Sequence, residues 1–558
     1  MLTNLTIQNF KGIHSASIDL RDVTLLFGAN SAGKSSITQT LHYAYEVFVN
    51  HNLDPDVSSI GGEFVNFGGL RNLLPYRDER EFLSIGIIAA DVKIPSDLTD
   101  DLWRSEHMGI WLRDKPCSNL FPAQKDYESA FEALLNWIRQ ANLISSIRVE
   151  FTVGIDRGDP KPEGLGGQVY THEYSLAVNG EYFLTIGYVD EESTCCLTNI
   201  NLDHELLRLL PTSNSGWIRE VQNEVYGFSI YWEEGLNSMP QADRGLTYPS
   251  ELNKMAVDET SEPRERSSFE IEAYNLLILV VEFFWRFSYQ LMQGELEKLR
   301  YVGPIRSSYK TNEDSAQTEL TSRWASGLAA WDTLEVLCHL GNEEARNAMV
   351  AINKWLCDPD RLNTGLHVEG LDLRRFPSSG SDYLVDDFEF KDSDILRWFY
   401  SIPCRKVLHL RDIERELWLR PCDVGIGVSQ LIPVVVAAFA DSRMLNIIEQ
   451  PELHTHPKLQ MALADMFLSA SMETGSQFIL ETHSEHLMLR LLRRIRETTS
   501  GKLPDYLQPV SPDRISVIFV EKAEGRTTAK QLSIDINGEF VEPWPDDFFD
   551  LGFNERFA

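Results

Sequence analysis

The chain has little of what marks a secreted, membrane-spanning or nucleic-acid-coating protein. Its 558 residues include seven cysteines, with Cys195 and Cys196 adjacent and the rest scattered. No CxxC pair and no even disulfide framework emerges, so the chain reads as reduced and cytoplasmic. The N-terminus lacks the charged start and apolar run of a signal peptide. The most apolar stretch, Leu276 to Phe287, is interrupted by Glu282 and Arg286. It is too short and too charged to span a bilayer and is expected as a buried helix, with the two charges paired four residues apart. Basic residues are scarce: 51 Lys and Arg stand against 84 Asp and Glu, a formal net charge of -33. Such a surface repels phosphate backbones unless a basic stripe is concentrated somewhere. Solubility accounts for most of that charge, with a basic protein partner as the minority alternative. Sustained heptads are absent too, which excludes long coiled-coil arms.

What is present is an ordinary globular composition, 43% hydrophobic and 24% charged, long enough for about two to four structural units. The patterning expects two short strands joined at Lys11-Gly12, a buried strand Val23 to Phe27, and a helix from Ser35 to about Val49. Further strands are expected near Phe82 to Ala90, Ile147 to Val153 and Tyr170 to Val178. Helices are expected near Asp126 to Gln140, Phe269 to Leu299 and Ala325 to Leu356. Ser250 to Ser268 reads as an exposed loop, and Asp358 to Asp392 as loop-rich. The final third alternates again: paired strands at Lys406 to Leu410 and Glu416 to Arg420, helix Ser429 to Phe439, strand Met444 to Ile448, helix Pro457 to Ala470. Strand Gln477 to Leu480, helix His486 to Glu497 and strand Ile515 to Glu521 follow. A hairpin is expected at Asn537-Gly538, flanked by strands Leu532 to Ile536 and Glu539 to Val541. These divide the chain into 1–95, an inserted region 96–300, a helical lobe 301–400, and 401–558.

The strongest chemistry lies in Gly28-Ala29-Asn30-Ser31-Ala32-Gly33-Lys34-Ser35, which matches GxxxxGK[ST] between a strand and a helix. The glycines let backbone N–H groups point at phosphates, and the helix dipole behind them favours negative charge. Lys34 can reach the β- and γ-phosphates, the Ser35 hydroxyl can ligate Mg²⁺, and Ser36 helps cap the helix rather than binding metal. A second constellation is Leu445-Asn446-Ile447-Ile448-Glu449-Gln450-Pro451-Glu452, an apolar strand ending in a carboxylate, which is how a P-loop fold positions its second Mg²⁺-linked group. Thr482-His483-Ser484 follows another apolar strand, and Gly425-Ile426-Gly427-Val428-Ser429-Gln430 precedes a helix upstream. Arg490, Arg493, Arg494 and Arg496 read as a solvated helix face rather than a nucleic-acid contact. Phe283-Phe284-Trp285 reads as core.

The order of these motifs resembles that of ABC-type ATPases: P-loop, glycine-serine signature, Walker B strand with Pro-Glu and a downstream His-Pro, then a His loop. Asn9-Phe10-Lys11 and Pro451-Glu452-Leu453-His454-Thr455-His456-Pro457 are similar to the branch holding the overcoming-lysogenization (OLD) ATPases. That branch includes the Septu defence ATPases (PtuA), found also as effectors in some retron modules. The resemblance implies an α/β fold: an ATPase head with a mixed sheet and flanking helices, built from N- and C-terminal segments around an inserted α+β region. It implies ATP and Mg²⁺, the metal held by Ser35 and Glu449. Lys11 and residues Gly28, Ala29, Asn30, Ser31, Ala32, Gly33, Lys34, Ser35 and Ser36 would line the nucleotide. Gly427, Ser429 and the adjacent Gln430 would meet the γ-phosphate of ATP held by the opposite protomer of a homodimer, itself open to higher assembly. Ser429 as a plain helix N-cap is compatible with that role. His483 would sense the γ-phosphate, the alternative being a buried structural histidine. His454 and His456 would flank the dimer-facing loop, a metal pair being the rival.

One departure from the family pattern bears on catalysis. Where ABC ATPases end Walker B with Asp-Glu, this chain has Glu449-Gln450. An amide holds a water but cannot take its proton, which implies slow hydrolysis and ATP acting mainly to hold the dimer together. Glu452, two residues on, is the substitute base. About seventy residues follow the His-loop helix, too few for the Toprim nuclease of the OLD enzymes, so the expected effector is a separate HNH-type nuclease in phage defence. A retron RNA–DNA and reverse transcriptase complex is a further partner the resemblance implies; a membrane is not. The alternative from another class is a RecF- or SMC-like DNA-repair ATPase, which the acidic charge and missing heptads disfavour. A transporter subunit is disfavoured by the insertion and the missing LSGGQ string.

Overall fold

The computed structural model describes residues 1–94, 117, 120, 124, 127–156, 168–189, 194–210, 218, 267–307, 320–374, 404–523 and 525–545. Strands β1 (Leu2–Phe10) and β2 (Ile13–Asp19) pair antiparallel across Lys11, whose φ of 52° makes the tight reversal. β3 (Val23–Phe27), buried at every residue, runs into the glycine loop, and α1 (Lys34–Phe48) follows it. Then come β4 (Leu83–Ala90), α2 (Tyr127–Ala141), β5 (Ser146–Asp156), β6 (Gln168–Val178), β7 (Glu181–Val189), β8 (Thr194–Ile200) and α3 (Glu205–Leu209). The long helix α4 (Ser268–Leu296) starts on a capping box, Ser267 and Glu270 satisfying each other's backbone N–H groups. β9 (Leu299–Val302), α5 (Leu320–Ala325), α6 (Leu328–Leu340), α7 (Glu343–Cys357), β10 (Leu366–Arg374), β11 (Cys404–Asp412) and β12 (Leu417–Leu419) lead into the last third. That third holds α8 (Ile426–Phe439), β13 (Leu445–Glu449), α9 (Pro457–Thr474), β14 (Gln477–Glu481), α10 (Glu485–Thr499), β15 (Ile515–Ala523) and β16 (Arg526–Leu532).

Two compact units contain these elements. The first comprises 1–59, 65–299 and 516–532, the second 60–64, 300–515 and 533–558. In the first, the strands run in the order β8-β7-β6-β5-β4-β1-β2-β16-β15-β3. Most neighbours are antiparallel, but β16 meets β2 in parallel at Thr527 and Ile13. Helix α4 gives this unit much of its core: Phe283, Phe284 and Trp285 are buried, and Arg286 pairs with Glu282 at 2.5 Å, as the spacing predicted. The Tyr289 hydroxyl donates to the Phe48 carbonyl at 2.9 Å, fixing α4 against the end of α1. In the second unit β14, β13 and β9 are adjacent, β13 and β14 parallel with Glu449 opposite Glu481, while β10-β11-β12 form a separate antiparallel sheet. The mixed α/β class expected from sequence is the one adopted. Among the described residues no helix is long and apolar enough to cross a membrane.

The differences are instructive. Strand β7 was not expected; Asn179 (φ 54°) and Gly180 (φ 81°) make a two-residue hairpin turn between β6 and β7, a signal hidden in a turn-rich acidic stretch. The helix expected over Ala325 to Leu356 is broken, because Gly341 (φ 59°) ends α6 and Asn342 caps α7 by accepting from Ala345 N–H. Within the stretch taken as loop-rich, Leu366–Arg374 is a strand, its partner β11 lying far along the chain. Around Asn537-Gly538 the expected hairpin forms in short, irregular form: Asp535 N–H donates to the Glu539 carbonyl, Val541 N–H to the Ser533 carbonyl, and Ile534 bridges Phe540. That turn also docks on α10, Arg496 donating to the carbonyls of Asn537 and Gly538 at 3.1 and 3.3 Å. The region 250–266, expected as exposed loop, and 375–392 lie outside the described residues.

Asn446, in the middle of β13, is 0% exposed, and neither atom of its amide finds a hydrogen-bond partner within the protein. Burying such a group without compensation costs about 1–3 kcal/mol. Asn446→Leu, of the same branched shape with methyl groups in place of the amide oxygen and nitrogen, is therefore expected to raise the urea unfolding midpoint; a lowered midpoint would mean that ordered water satisfies the amide or that the larger methyl groups overpack the site.

Candidate nucleotide site

In the first unit the loop after β3 is shaped by contacts that leave no room for side chains. Gly28 has φ 148°, and a Cβ there would lie 2.0 Å from the Val520 carbonyl oxygen of β15. Gly33 has φ 110°, and a Cβ there would lie 2.6 Å from Thr527 Oγ1 of β16. Ser31 is also left-handed, at φ 63°. The Thr527 hydroxyl donates to the Ala32 carbonyl at 2.9 Å, and its N–H donates to the Gly12 carbonyl at 2.8 Å. One threonine thus clasps the β1–β2 turn to the glycine loop. Lys34 is 3% exposed and folds back, Nζ donating to the carbonyls of Gly28 and Ala29, both at 3.1 Å. A cation held over a loop of turned-in backbone is what a polyphosphate needs. Ala29 and Asn30 complete the loop between its two glycines.

Two details depart from expectation. The N-cap of α1 is Gly33, with no side-chain cap bond. Ser36 therefore does not cap the helix; it is already helical, with its N–H on the Gly33 carbonyl and its own carbonyl accepting from Thr40 Oγ1 at 3.0 Å. Lys11 Nζ donates to Gln39 Oε1 of α1 at 2.5 Å, and burial lowers its pKa from the usual lysine value. Ser35 is the second residue of α1, and its carbonyl accepts from Thr38 Oγ1 at 3.0 Å.

In the second unit the end of β13 is the centre of a polar cluster. Glu449 Oε1 accepts from the Tyr301 hydroxyl of β9 at 2.9 Å; burial, then the Glu449 charge, pushes the Tyr301 pKa up, so the phenol stays a donor. Gln450 has φ 45°, its N–H donating to the Glu481 carbonyl at 2.7 Å. Glu452 Oε1 accepts the His483 N–H at 2.8 Å, joining the Pro-Glu turn to the histidine that follows β14; Glu452 Oε2 is buried and has no hydrogen-bond partner within the protein. Ser484 caps α10 by accepting from Leu487 N–H. Arg306, 2% exposed, donates to the carbonyls of Glu449 at 2.6 Å and Gln450 at 3.2 Å. Burial lowers its pKa to about 10, Glu452, Tyr301 and Glu449 opposing that shift, so it remains a cation at neutral pH.

The signature helix α8 begins at Ile426, so Gly427 and Ser429 lie inside its first turns and Gly425, not Ser429, occupies the N-cap. Ser429 is 3% exposed, and its hydroxyl donates to the Ile426 carbonyl at 3.0 Å. A Cβ on Gly427 would lie 3.0 Å from the His454 carbonyl oxygen, which explains glycine there. Gln430 is buried with both ends of its amide on the Arg306 backbone. His456 caps α9 by accepting from Lys458 N–H at 3.2 Å, and among the described residues no group of three or more His, Cys, Asp or Glu gathers for a metal. The arginines of α10 are only in part a solvated face. Arg490 and Arg494 bind Asp465, Arg494 is fully buried, and Arg496 holds the Asn537 turn. Arg493 and Arg496 are both exposed, and Arg493 pairs with Glu497.

The AAA ATPase domain family matches residues 1–68 and 418–488, the stretches that hold the glycine loop and the signature, β13 and His483. The match marks an ATPase domain in two stretches, with residues 69–417 between them. Among solved structures, an Smc head bound to the C-winged helix domain of ScpA is 9% identical, with 96% of this chain and 98% of that one covered at a TM-score of 0.35. The SMC head domain from Thermotoga maritima is 8% identical, with coverage of 96% and 99% and a TM-score of 0.33. An Smc head with an extended coiled coil, bound to the C-terminal domain of ScpA derived from Pyrococcus furiosus, is 11% identical, with coverage of 95% and 96% and a TM-score of 0.33. No curated protein matches the chain.

Thr527, Tyr301 and Arg306 were missed in the sequence. Thr527 lies 495 residues from the carbonyl it binds, so no local spacing could announce it. Thr527→Val keeps the shape and removes the donor, leaving the Ala32 carbonyl unpaired at a cost of about 1–2 kcal/mol. Mg-ATP affinity, titrated with a fluorescent analogue, is expected to fall by about five- to thirtyfold; wild-type affinity would show that the loop keeps its shape unclasped.

Proposed function

We propose that this chain is an ATP-binding, slowly hydrolysing ABC-type ATPase that works as a homodimer and regulates a separate HNH-type nuclease in antiviral defence. The observation that carries the nucleotide reading is the glycine cradle closed against Val520 and Thr527, with Lys34 over it. On binding, phosphate oxygens take over from the Gly28 and Ala29 carbonyls as partners of Lys34. Ser35 and Glu449 would each offer a hard oxygen of the kind Mg²⁺ takes, an ion that needs only one or two protein ligands beside the phosphates and neutralises their charge. On a second copy, the N–H groups of Ile426 and Gly427 at the start of α8 are the donors offered to the γ-phosphate, and Ser429 joins them when its hydroxyl leaves the Ile426 carbonyl.

In hydrolysis the water oxygen bonds to the γ-phosphorus as the bond to the β–γ bridging oxygen breaks, its electron pair leaving with ADP. The water's proton needs an acceptor. Gln450 has none to offer, and Glu452, one oxygen fixed by the His483 N–H, lies two residues further on. Losing the base at the strand end costs about 10²–10⁴-fold in rate. Bound ATP then outlasts each encounter and serves as the glue of the dimer.

The defence assignment rests on the likeness of Asn9-Phe10-Lys11 and Pro451–Pro457 to the OLD and Septu branch. The net charge of -33 agrees with a protein that leaves DNA to its partner. Purified chain is expected to turn ATP over far more slowly than once per second, and Gln450→Glu to raise kcat by about 10²-fold. Wild-type turnover at tens per second, or no response to Gln450→Glu, would remove Gln450 from the water.

Co-expression with the neighbouring genes tests the partner. A nuclease or reverse transcriptase should co-purify with the chain, with ATP bound. Recombination proteins in its place would favour a repair role.

A further inference from the structure

Arg306 lies between two parts of the second unit, the signature helix α8 and the end of β13. Its backbone is bracketed by Gln430 of α8: the Arg306 N–H donates to Gln430 Oε1 at 2.9 Å, and Gln430 Nε2 donates to the Arg306 carbonyl. Its guanidinium reaches the Gln430 carbonyl at 3.4 Å, the Glu449 carbonyl at 2.6 Å and the Gln450 carbonyl at 3.2 Å. The stem is clamped as well. A Cβ on Gly327, at the N-cap of α6, would lie 3.0 Å from Arg306 Cβ and 3.1 Å from Pro433 of α8. On either side of Arg306, Gly303 and Ser307 donate backbone N–H groups to Ala325 and Ser326, so the segment has little freedom of its own. Two polar atoms in this cluster are buried without hydrogen-bond partners, Arg306 Nε and Glu452 Oε2. The longest contact, to Gln430, is the first that a movement of α8 would change.

We propose that Arg306 is a positioning residue that couples the first turns of α8 to the end of β13, so that displacement of the signature helix by a second copy's phosphate reaches Gln450 and Glu452. Only arginine suits the position. Its planar fork binds carbonyls on two elements at once, whereas a lysine ammonium is a single point on a flexible stem. Arg306 touches no nucleotide in this scheme, so nucleotide affinity, set by the glycine cradle of the other unit, stays as it is while turnover falls. The inference rests on the ATPase reading above.

The test is a double-mutant cycle in the full-length chain with Arg306→Met, Gln430→Ala and the pair, measuring Mg-ATP affinity and kcat separately. Each single change is expected to lower kcat by about tenfold or more with Kd within about twofold, and the pair to be no slower than the slower single, because both break one device. Arg306→Lys is expected to be as slow as Arg306→Met, and it replaces Arg306→Met in the cycle if that variant does not fold. Effects that multiply, or wild-type kcat in variants whose only change is a lower Tm, would overturn the coupling and leave the ATPase reading standing. A wild-type chain that binds no Mg-ATP would sink the ATPase reading first, and the coupling with it.

Discussion

The backbone of the glycine loop and the β15–β16 hairpin lie so close that a single added carbon at Gly28 would collide with the Val520 carbonyl, and one at Gly33 with Thr527. That approach is what the nucleotide reading depends on. A phosphate-binding loop works only while its N–H groups converge, and converging dipoles repel one another unless the surrounding structure holds them. Here the hairpin does the holding: the Thr527 hydroxyl satisfies the Ala32 carbonyl while its N–H satisfies Gly12. Lys34 supplies the countercharge by folding onto the loop's own carbonyls. The loop is thereby preorganised, so little ordering entropy remains to be lost when phosphate arrives.

The second unit solves a different electrostatic problem. Glu449 and Glu481 stand opposite each other on parallel strands, with Glu452 nearby, so several carboxylates gather at one strand end. Tyr301 donates to Glu449, the His483 N–H donates to Glu452, and the buried Arg306 cation lies among them. An arginine keeps its charge even when burial lowers its pKa to about 10, which a lysine so placed would not reliably do.

Much of this was legible because the signals are local. Val23–Phe27, the glycine octet and the helix after it can be read from adjacent residues, and β13 and β14 announce themselves as apolar runs with polar ends. Gln430 was legible as a site residue, but its amide is spent on the Arg306 backbone, a partner 124 residues away. The same distance problem hid β10, which exists because β11 pairs with it, and the arginines of α10, whose partners are Asp465 and the Asn537 turn. Charge counts say how many ions there are and not which find each other; only the fold converts Arg494 from an apparent surface residue into a fully buried one.

Gln450 brings these threads to one residue. A non-glycine residue at φ 45° is strained by about 1–2 kcal/mol, and the proline that follows further restricts its backbone. Such a conformation persists only where neighbours overdetermine it. Three do: the Glu481 carbonyl takes its N–H, while its own carbonyl accepts from Arg306 and from the Leu453 N–H. The strain sits at the position where an amide replaces the Glu of the Asp-Glu pattern of the ATPases it resembles. A turn kept against its own preference holds this strand end in place, and the amide there offers no base where the resemblance implies one. The proposed role, holding ATP rather than consuming it, follows from those two features together.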